Sequence, residues 1–381
     1  MAVIPMKPIL DAADRNGYGQ GAFNINSISQ IKAAIEIHEI LRSPAIIQGA
    51  ELANGFMGGK SDFKTSTIDD IRLGARRIGE AVWKYGEAAS VPVALHLDHG
   101  TDLEVVKACI DGGYTSVMID GSSKSFEDNV ELTREVVKYA HARGVTVEGE
   151  LGILAGVEDH VFSSKSTYTH PLQALEFVKK TGVDALAISY GTMHGPNKGK
   201  NVKLRKEIVT AIKELLRHEG LDISLVSHGS STVPPYLVEE LKQAGAELPE
   251  MEGIPSREIS QAIEAGISKI NVDTDIRMAV TRNLRTFFNR GGQIGLSPEA
   301  QSVAVLLEQY KAQVDPRVFF APIMDSVVLD EPLTDDYELL HREVGRGVQE
   351  IIAQLIVVFG SIGKSNLVEM KTLEEMKKIY L

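Results

Sequence analysis

The sequence predicts an α/β fold, a (β/α)8 TIM barrel with a C-terminal helical extension, and three observations support this. Eight short apolar runs rich in β-branched residues have the length of buried strands. Helical patterns lie between them, and a glycine precedes many of the runs, as expected where a helix ends before a short loop. The eight runs are 21–25, 45–49, 91–97, 115–120, 145–151, 184–190, 223–228 and 268–273.

Taken in order, the later elements follow one repeated pattern of helix, glycine and strand. The clearest helical patterns are 125–144 and 170–182, and the second carries apolar residues on one broad face. Glycines precede the fourth to eighth runs in turn, at Gly112 and Gly113, Gly144, Gly182, Gly220 and Gly266. After about residue 290 the pattern changes to a turn-rich segment, 289–300, followed by helical stretches. We therefore predict that no further βα unit follows.

Strands that alternate with helices pair in parallel, which leaves two arrangements open. A doubly wound open sheet shows the same alternation, and its first strand is often followed by G-x-G-x-x-G. That motif is absent after the first run, and eight units match a barrel in number and length. We expect a barrel catalytic domain at residues 1–290. Residues 291–381 then form a helical extension that packs on the barrel or on an oligomer partner, so that one structural domain results overall.

Charge and composition exclude several classes of protein. The 40 Lys and Arg face 52 Asp and Glu, a net charge of −12, whereas general nucleic-acid binders need basic patches. The single cysteine, Cys109, excludes an intrachain disulfide and favours a reducing cytoplasm. The N-terminus lacks the pattern of a signal peptide, and the apolar run 351–359 is too short to span a bilayer. We expect no nucleic-acid and no membrane partner.

Polar side chains stand where several predicted strands end, which is where barrel enzymes carry their catalytic groups. A lone histidine of this kind is more often a hydrogen-bonded structural residue. Three histidine-bearing strand ends beside several carboxylates fit that reading less well, because buried charge is costly unless it is paired or metal-bound. The polar strand ends are His96, Asp98, His99, Asp120, Glu148, Glu150, His194, His228, Asn271, Asp273 and Thr274.

Barrel closure would bring His99, His194 and His228 to one rim, although they are far apart in the sequence. Three imidazoles with an open fourth position form a catalytic zinc site. Glycine and serine follow two of these histidines, in the stretches 194–195 and 228–231, and Asp273-Thr274 ends the eighth strand. Their backbone N–H groups could bind a phosphate at the end of strands six to eight, the usual position in barrels. Each turn alone is a weak signal.

Eight stretches of the chain resemble those of the class II, metal-dependent fructose-1,6-bisphosphate aldolases, and within them the subgroup that includes tagatose-bisphosphate aldolases. The resemblance spans the sequence from its start to about residue 325. The stretches are GAFNIN (21–26), VALHLDHG (93–100), TSVMIDGS (115–122), VTVEGELG (145–152), GVEDH (156–160), VDALAISYGTMHG (183–195), HGSS (228–231) and INVDTDIR (270–277).

The resemblance implies a site built around a divalent cation, usually Zn²⁺, with other divalent ions also open. It implies that His99, His194 and His228 bind the cation. Asp120 and Glu150 would form an alternative metal position or support the histidines. Asp98 would exchange a proton with the C4 oxygen of the substrate.

The resemblance also implies how substrate is held. Glu158 would move the proton at the enolate carbon, and a monovalent cation is expected near the phosphate site. The residues implied to bind substrate or its phosphates are Asn24, Gly195, Lys198, Gly229, Ser231, Asn271, Asp273, Thr274 and Arg277.

The implied reaction is the reversible cleavage of fructose 1,6-bisphosphate to dihydroxyacetone phosphate and glyceraldehyde 3-phosphate. A cation acting as a Lewis acid would stabilise the enediolate. A lysine Schiff base is the other route to this reaction, but no lysine ends a strand, since Lys269 stands where the eighth strand begins. The resemblance further implies that the chain forms a homodimer or homotetramer. It also implies that the binding partners are small-molecule sugar phosphates.

The sequence departs from the family pattern near the predicted site. Family members commonly carry a substrate-contacting serine at the position of Ala50, and Pro196-Asn197 replace a small residue and an aromatic before Lys198. These departures leave open an aldolase for tagatose 1,6-bisphosphate or another ketose phosphate. Two other classes also stay open, a metal-dependent barrel hydrolase and a non-catalytic sugar-phosphate binder. The hydrolase needs a base aimed at water, and the binder needs no acid–base pair.

Overall fold

The protein folds as a closed barrel of eight parallel strands, which confirms the predicted (β/α)8 fold. The computed structural model describes residues 2–154, 156–158, 161–163, 167–193, 195, 197–198, 202–292, 295–328 and 335–381. The barrel strands are β1 (Gln20–Asn24), β2 (Ala45–Ala50), β3 (Val93–Gly100), β4 (Ser116–Ile119), β5 (Thr146–Leu151), β8 (Ala185–Ile188), β9 (Ser224–Ser227) and β10 (Ile267–Val272). Each pairs with the next, and β10 pairs with β1.

A short antiparallel hairpin, which the sequence did not predict, follows the fifth barrel strand. Its strands are β6 (Gly156–Glu158) and β7 (Val161–Ser163). Glu158 ends the first of them, so the backbone places it in the connection after β5, at the end of the barrel where the strands terminate. The side chain of Glu158 lies outside the described residues.

Helices fill the connections and surround the barrel. The helices are α1 (Met6–Asn16), α2 (Ile28–Ile40), α3 (Glu51–Met57), α4 (Ile68–Glu87), α5 (Leu103–Asp111), α6 (Phe126–His141), α7 (Pro171–Thr181), α8 (Lys206–His218), α9 (Pro235–Gln243), α10 (Ser256–Ala265), α11 (Thr274–Asn289), α12 (Pro298–Gln309), α13 (Pro316–Phe320), α14 (Met324–Val328), α15 (Asp335–Phe359) and α16 (Leu373–Tyr380). The two clearest predicted helices, 125–144 and 170–182, correspond to α6 and α7.

The long helix α15, in the C-terminal part of the chain, packs beside the first strand. It contacts α2, α11 and β1, and the Gly19 N–H donates to the Phe359 carbonyl over 2.9 Å. The apolar run 351–359 forms the end of α15 and buries one face, with Ile351, Ile352 and Leu355 in the core. Within the part of the chain that the structure describes, no helix has both the length and the apolar character to cross a membrane.

The barrel interior changes from apolar to charged along its axis. Near the starts of the strands, Ala22, Ala94 and Val226 pack with Met6 and Ile9 of α1 in a small separate core. Successive strand residues alternate between the two faces, so the next inward positions lie two residues further on. His96 stands two residues after Ala94, and Gln48, Glu148 and Lys269 are further polar side chains of the barrel strands; none of the four has any exposed surface. The polar interior therefore lies beneath the end of the barrel where the strands terminate.

Candidate active site

Two side-chain amides, one from the first barrel strand and one from the last, hold Asp98 at the mouth of the barrel. Asn24 Nδ2 donates to Asp98 Oδ2 and Asn271 Nδ2 donates to Asp98 Oδ1, each over 2.9 Å. The Asn24 amide oxygen in turn accepts from Gln48 Nε2 over 2.8 Å. Strands β1, β2, β3 and β10 thus converge on one carboxylate, which is 1 % exposed. The structure brings three predicted site residues, Asn24, Asp98 and Asn271, into direct contact.

A strained backbone turns His99 into the same space. Its φ is 48°, in the left-handed region that residues other than glycine rarely adopt. The register between β3 and β4 also shifts between Leu97 and Gly100. Such an irregularity re-aims a side chain, and strain of this kind costs of order 1–3 kcal/mol and clusters at functional sites.

His99 and His228 face each other across the barrel mouth. His99 Nε2 and His228 Nδ1 lie 3.0 Å apart, and the rings meet edge to face with centroids 4.7 Å apart. The other nitrogen of each ring meets a carboxylate: His99 Nδ1 lies 3.1 Å from Asp120 Oδ2, and His228 Nε2 lies 2.8 Å from Glu148 Oε1. A carboxylate therefore orients each imidazole ring through one nitrogen, and the other nitrogen is directed at the facing ring.

The carboxylates around this pair shift the pKa values of the groups involved. Burial opposes a charge on His99, but the hydrogen bond to Asp120 and the negative charges nearby raise the pKa of His99 well above its ordinary value. Burial also opposes ionisation of Asp120, yet His99 lowers the pKa of that carboxyl below its usual range. Burial raises the pKa of Glu150 well above its usual range, and Asp120 adds to the effect. The shifts thus favour a positive charge on His99 and a negative charge on Asp120, and they disfavour a second negative charge on Glu150.

The donor set fits a divalent cation. Two groups of three side chains bring ligand atoms within 4.8 Å of one another, Asp98 with His99 and His228, and His99 with Asp120 and Glu150. Glu150 Oε2 is buried and has no hydrogen-bond partner among the described residues, while it lies 3.6 Å from His228 Nδ1. Mixed imidazole and carboxylate ligands suit zinc and related ions. The third predicted ligand, His194, lies outside the described residues.

The predicted phosphate-binding residues meet beside this group. The Asp273 N–H points to Ser231 Oγ at 3.4 Å, and Thr274 begins α11, whose N-terminus carries a partial positive charge. Gly229 and Gly195 have φ values of 60° and 86°, left-handed conformations that glycine adopts at no steric cost. Ser231, Asp273 and Thr274 therefore form one rim of the site.

The two predicted cations, Lys198 and Arg277, are both tied to protein groups near this rim. Lys198 is buried, and its ammonium donates to the Met193 carbonyl. Arg277 Nε donates to Asp273 Oδ1 over 2.7 Å, and its guanidinium also lies 3.1 Å from Asp315. Arg277 is thus anchored directly to a residue of the predicted phosphate site.

Arg317 is a buried cation that the sequence analysis missed. Its guanidinium pairs with Asp315 over 2.7 Å and lies 4.1 Å above the ring of Phe63. Asp315 also pairs with Arg277, so the network continues to the rim of the site. The Asp-Pro-Arg stretch signals the capped start of a helix, which α13 confirms, but nothing local to it shows where the charge points.

Lys269 lies in the middle of β10 rather than at the start of a strand. It is the third residue of Ile267–Val272 and pairs with Glu148 inside the barrel over 2.9 Å. Burial disfavours the charge on Glu148, but Lys269 and the hydrogen bond from His228 lower the pKa of that carboxyl below its usual range. The two-residue spacing of Lys269 and Asn271 is the signal that could have placed both on the inner face.

The departure from the family pattern at Ala50 lies within the site. Ala50 is the last residue of β2, is buried, and is paired with Asp98 in the register of β2 and β3. Asn197 forms a bridge with Glu252, and Pro196 lies outside the described residues. A methyl group therefore stands next to the clamped carboxylate, where a hydroxyl would offer a hydrogen bond.

Comparison of the sequence with known families and proteins agrees with this geometry. The family model described as fructose-bisphosphate aldolase class-II matches residues 4–364. The fructose-bisphosphate aldolase of Giardia intestinalis is 34% identical over 380 residues, covering 100% of both chains. That of Thermus caldophilus is 36% identical over 359 residues, covering 94% of this chain and 98% of the relative.

Solved structures show the same fold. The YdjI aldolase from Escherichia coli K12 matches with a TM-score of 0.60 and 26% identity, over 95% of this chain and 99% of that one. The fructose-bisphosphate aldolase of Campylobacter jejuni matches with a TM-score of 0.67 and 22% identity, over 95% of this chain and 97% of that one, a likeness of fold alone. Since the family model spans nearly the whole chain and the two relatives align along almost all of it, the chain belongs to the class II fructose-bisphosphate aldolases, a family of lyases.

Proposed function

We propose that this chain catalyses the reversible cleavage of fructose 1,6-bisphosphate to dihydroxyacetone phosphate and glyceraldehyde 3-phosphate, with Zn²⁺ bound by His99, His194 and His228. The observation that carries the proposal is the Asp98 carboxylate, clamped by Asn24 and Asn271 beside the facing histidines. An acid–base group next to a metal-binding pair suits the metal-assisted cleavage of a carbon–carbon bond near a carbonyl. The choice of substrate is supported by the relatives named fructose-bisphosphate aldolase.

A bound divalent cation would supply Lewis-acid stabilisation of negative charge on the ketone oxygen. In cleavage, Asp98 accepts the proton of the C4 hydroxyl while the C3–C4 bond breaks, and the electron pair of that bond stays on the ketone fragment. The two amides hold both carboxylate oxygens in place, so the proton acceptor keeps one orientation. Glu158, carried on the hairpin after β5, returns a proton to the ketone fragment, and the aldehyde product leaves.

The phosphates are bound locally in this proposal. A net charge of −12 repels a bisphosphate at long range, although salt screens this effect beyond about 10 Å. Backbone N–H groups of Gly195, Gly229 and Ser231 and the N-terminus of α11 can bind the ketone-side phosphate. A monovalent cation near this rim is part of the proposal, as are the cations Lys198 and Arg277.

A second ketose phosphate, such as tagatose 1,6-bisphosphate, is favoured by one observation. Ala50 stands beside Asp98 and offers no hydrogen bond where family members commonly carry serine. A hydrolase fits less well because it does not need a phosphate-binding rim such as the one at Ser231 and Asp273. A pure binder fits less well because it does not need an acid–base group such as the clamped Asp98.

Three further expectations belong to the same proposal. We propose a homodimer or homotetramer, a cytoplasmic location, and a catalytic unit at residues 1–290 to which residues 291–381 add helical packing. The contacts of α15 with α2 and β1 support the last point.

The test offers purified protein fructose, tagatose and sedoheptulose bisphosphates and measures dihydroxyacetone phosphate. We expect cleavage of fructose 1,6-bisphosphate with the highest kcat/KM. Preference for another of the three would change the substrate but keep the reaction. Cleavage of none would contradict the proposed reaction.

A further inference from the structure

The barrel interior beneath the facing histidines holds a buried ion pair that the proposed reaction does not use. Lys269 Nζ lies 2.9 Å from Glu148 Oε2, and neither side chain has any exposed surface. Moving an ammonium and a carboxylate out of water is costly, and their attraction compensates only if the geometry is good and further hydrogen bonds are made. Two apolar side chains would fill the same space without this cost, which suggests that the Lys269–Glu148 pair has a function.

Glu148 divides its two carboxylate oxygens between two partners. Oε2 accepts from Lys269, and Oε1 lies 2.8 Å from His228 Nε2. On the remaining side, His96 Nε2 lies 3.5 Å from Oε2, while His96 Nδ1 is 2.7 Å from Ser116 Oγ. The carboxylate is therefore fixed from three directions.

The hydrogen bond to Glu148 decides which nitrogen of His228 is free to bind a cation. A carboxylate can only accept, so His228 Nε2 must carry the proton and donate it. His228 Nδ1 then keeps its lone pair and faces His99 Nε2 at 3.0 Å. Histidine binds metals through an unprotonated nitrogen, and the partner of the other nitrogen fixes both the tautomer and the direction of the ring.

We propose that Lys269 is a positioning residue for the metal site: its ammonium holds the Glu148 carboxylate as the acceptor for His228 Nε2–H and so directs His228 Nδ1 at the cation. The inference rests on the proposed function, in which His228 is a metal ligand. Lys269 acts through two residues and touches neither substrate nor metal. In the part of the chain that the structure describes, no other lysine or arginine lies within ion-pair distance of Glu148.

The chain offers a matched control in Lys213. This lysine is also buried and ion-paired, with its Nζ 2.8 Å from Asp14 and 2.7 Å from the Ile223 carbonyl. It lies on α8, outside the barrel, and bonds a residue of α1 and the residue that precedes β9 rather than the site. Replacing either lysine by Met removes the nearest cation from a carboxylate with little or no exposed surface, so both variants should lose stability.

The test measures the zinc affinity of metal-stripped protein by competition with a chromogenic chelator, with urea unfolding in chelator as the stability control. We expect Lys269→Met to weaken zinc binding by about 10- to 100-fold, the usual effect of removing such a supporting group. Lys213→Met should bind zinc as tightly as the wild type while losing stability. With excess zinc, the kcat of Lys269→Met should return toward that of the wild type, because Lys269 does not contact the substrate.

A double-mutant cycle decides whether Lys269 acts through Glu148. A glutamine at 148 carries no charge for Lys269 to hold, so Lys269→Met should change zinc affinity little in the Glu148→Gln background. This comparison also serves if Lys269→Met alone does not fold, since the double variant removes both buried charges. An equal loss of affinity in both backgrounds would overturn the inference, as would wild-type affinity in Lys269→Met. A wild-type protein that binds no zinc would overturn the proposed function together with it.

Discussion

Asn271 on the last barrel strand donates to Asp98 on the third over 2.9 Å, although the two residues are 173 positions apart. The bond orients one carboxylate oxygen, and Asn24 orients the other. Asp98 is thus presented to the barrel mouth in a single orientation, which is what a proton-transfer group needs.

Replacing Asp98 by Ala should reduce kcat by about 10³-fold, because general acid–base catalysis contributes 10²- to 10⁴-fold. Metal content should stay near that of the wild type, since the histidine ligands are untouched. Steady-state kinetics with metal analysis of the same sample checks both points. Asp102→Ala is the control, because Asp102 caps α5 at the surface, and its loss should cost about 1 kcal/mol of stability with kcat unchanged. Full activity in Asp98→Ala would remove Asp98 from the mechanism.

Replacing His228 by Ala should abolish stoichiometric metal binding, because its Nδ1 is one of the two facing nitrogens. Metal analysis after dialysis against zinc gives the result directly. His170→Ala is the control, since His170 is exposed and precedes α7. A fully loaded His228→Ala protein would show that His228 is not a ligand.

Gly253 should matter for binding of the phosphorylated substrate. A Cβ at this position would lie 2.2 Å from the backbone of Thr232, which follows the predicted phosphate-binding residue Ser231. Ile254 N–H also donates to the Ser231 carbonyl over 3.1 Å, so a displaced segment would move that loop. We expect Gly253→Ala to lower kcat/KM by about 10- to 100-fold, in line with the cost of misplacing a site by about 1 Å.

The control for Gly253 is Gly245→Ala. A Cβ there meets nothing within 4 Å, although its φ of 89° makes the substitution strained. That variant should lose stability and keep the KM of the wild type. If both variants changed kcat/KM equally, the loop contact would not explain the effect.

His38 should make the stability of the fold depend on pH. Burial lowers its pKa from 6.5 to about 4, against a hydrogen bond of its Nδ1 to the Ala34 carbonyl, and its ring packs near Phe23. Between pH 6.5 and about pH 4, the imidazole binds a proton in the unfolded chain but not in the folded chain. The free energy of unfolding is therefore highest above pH 6.5 and falls as the pH is lowered through this range. At pH 5 the loss is about 2 kcal/mol.

Urea unfolding of metal-stripped protein at pH 7 and pH 5 measures this effect. The variant His38→Gln should lose less free energy of unfolding between the two pH values than the wild type, by about that amount. Equal losses in both proteins would show that His38 is protonated in the folded state as well.

Most of the fold was predictable because βα units are local patterns. Eight apolar runs, each followed by a polar or helical stretch and many preceded by glycine, predicted the barrel, and all eight strands are found. The hairpin after β5 was not predicted because two strands of three residues are too short to show a periodic pattern in the sequence. The helix α1 was not predicted either. Its buried side chains pack against Ala22 and Ala94 at the base of the barrel, and this contact exists only once the barrel has closed.

For the site, residue types at strand ends indicated the histidines, and the resemblance to the aldolase family singled out Asp98, Asp120 and Glu150. The structure brings these three carboxyl groups together with His99 and His228. The supporting residues were harder to find. Arg317 comes from a segment far from any strand end, and Lys269 depends on the inner face of β10 meeting Glu148 of β5. Such pairings are set by barrel closure and not by local sequence.

The most direct test of the account is the cleavage of fructose 1,6-bisphosphate by metal-stripped protein, before and after zinc is restored. We expect a loss of activity of at least about 100-fold in chelator, since Lewis-acid stabilisation is worth several kcal/mol. One equivalent of zinc per chain should restore it. Cleavage that persists at the original rate in the stripped protein would contradict the metal mechanism.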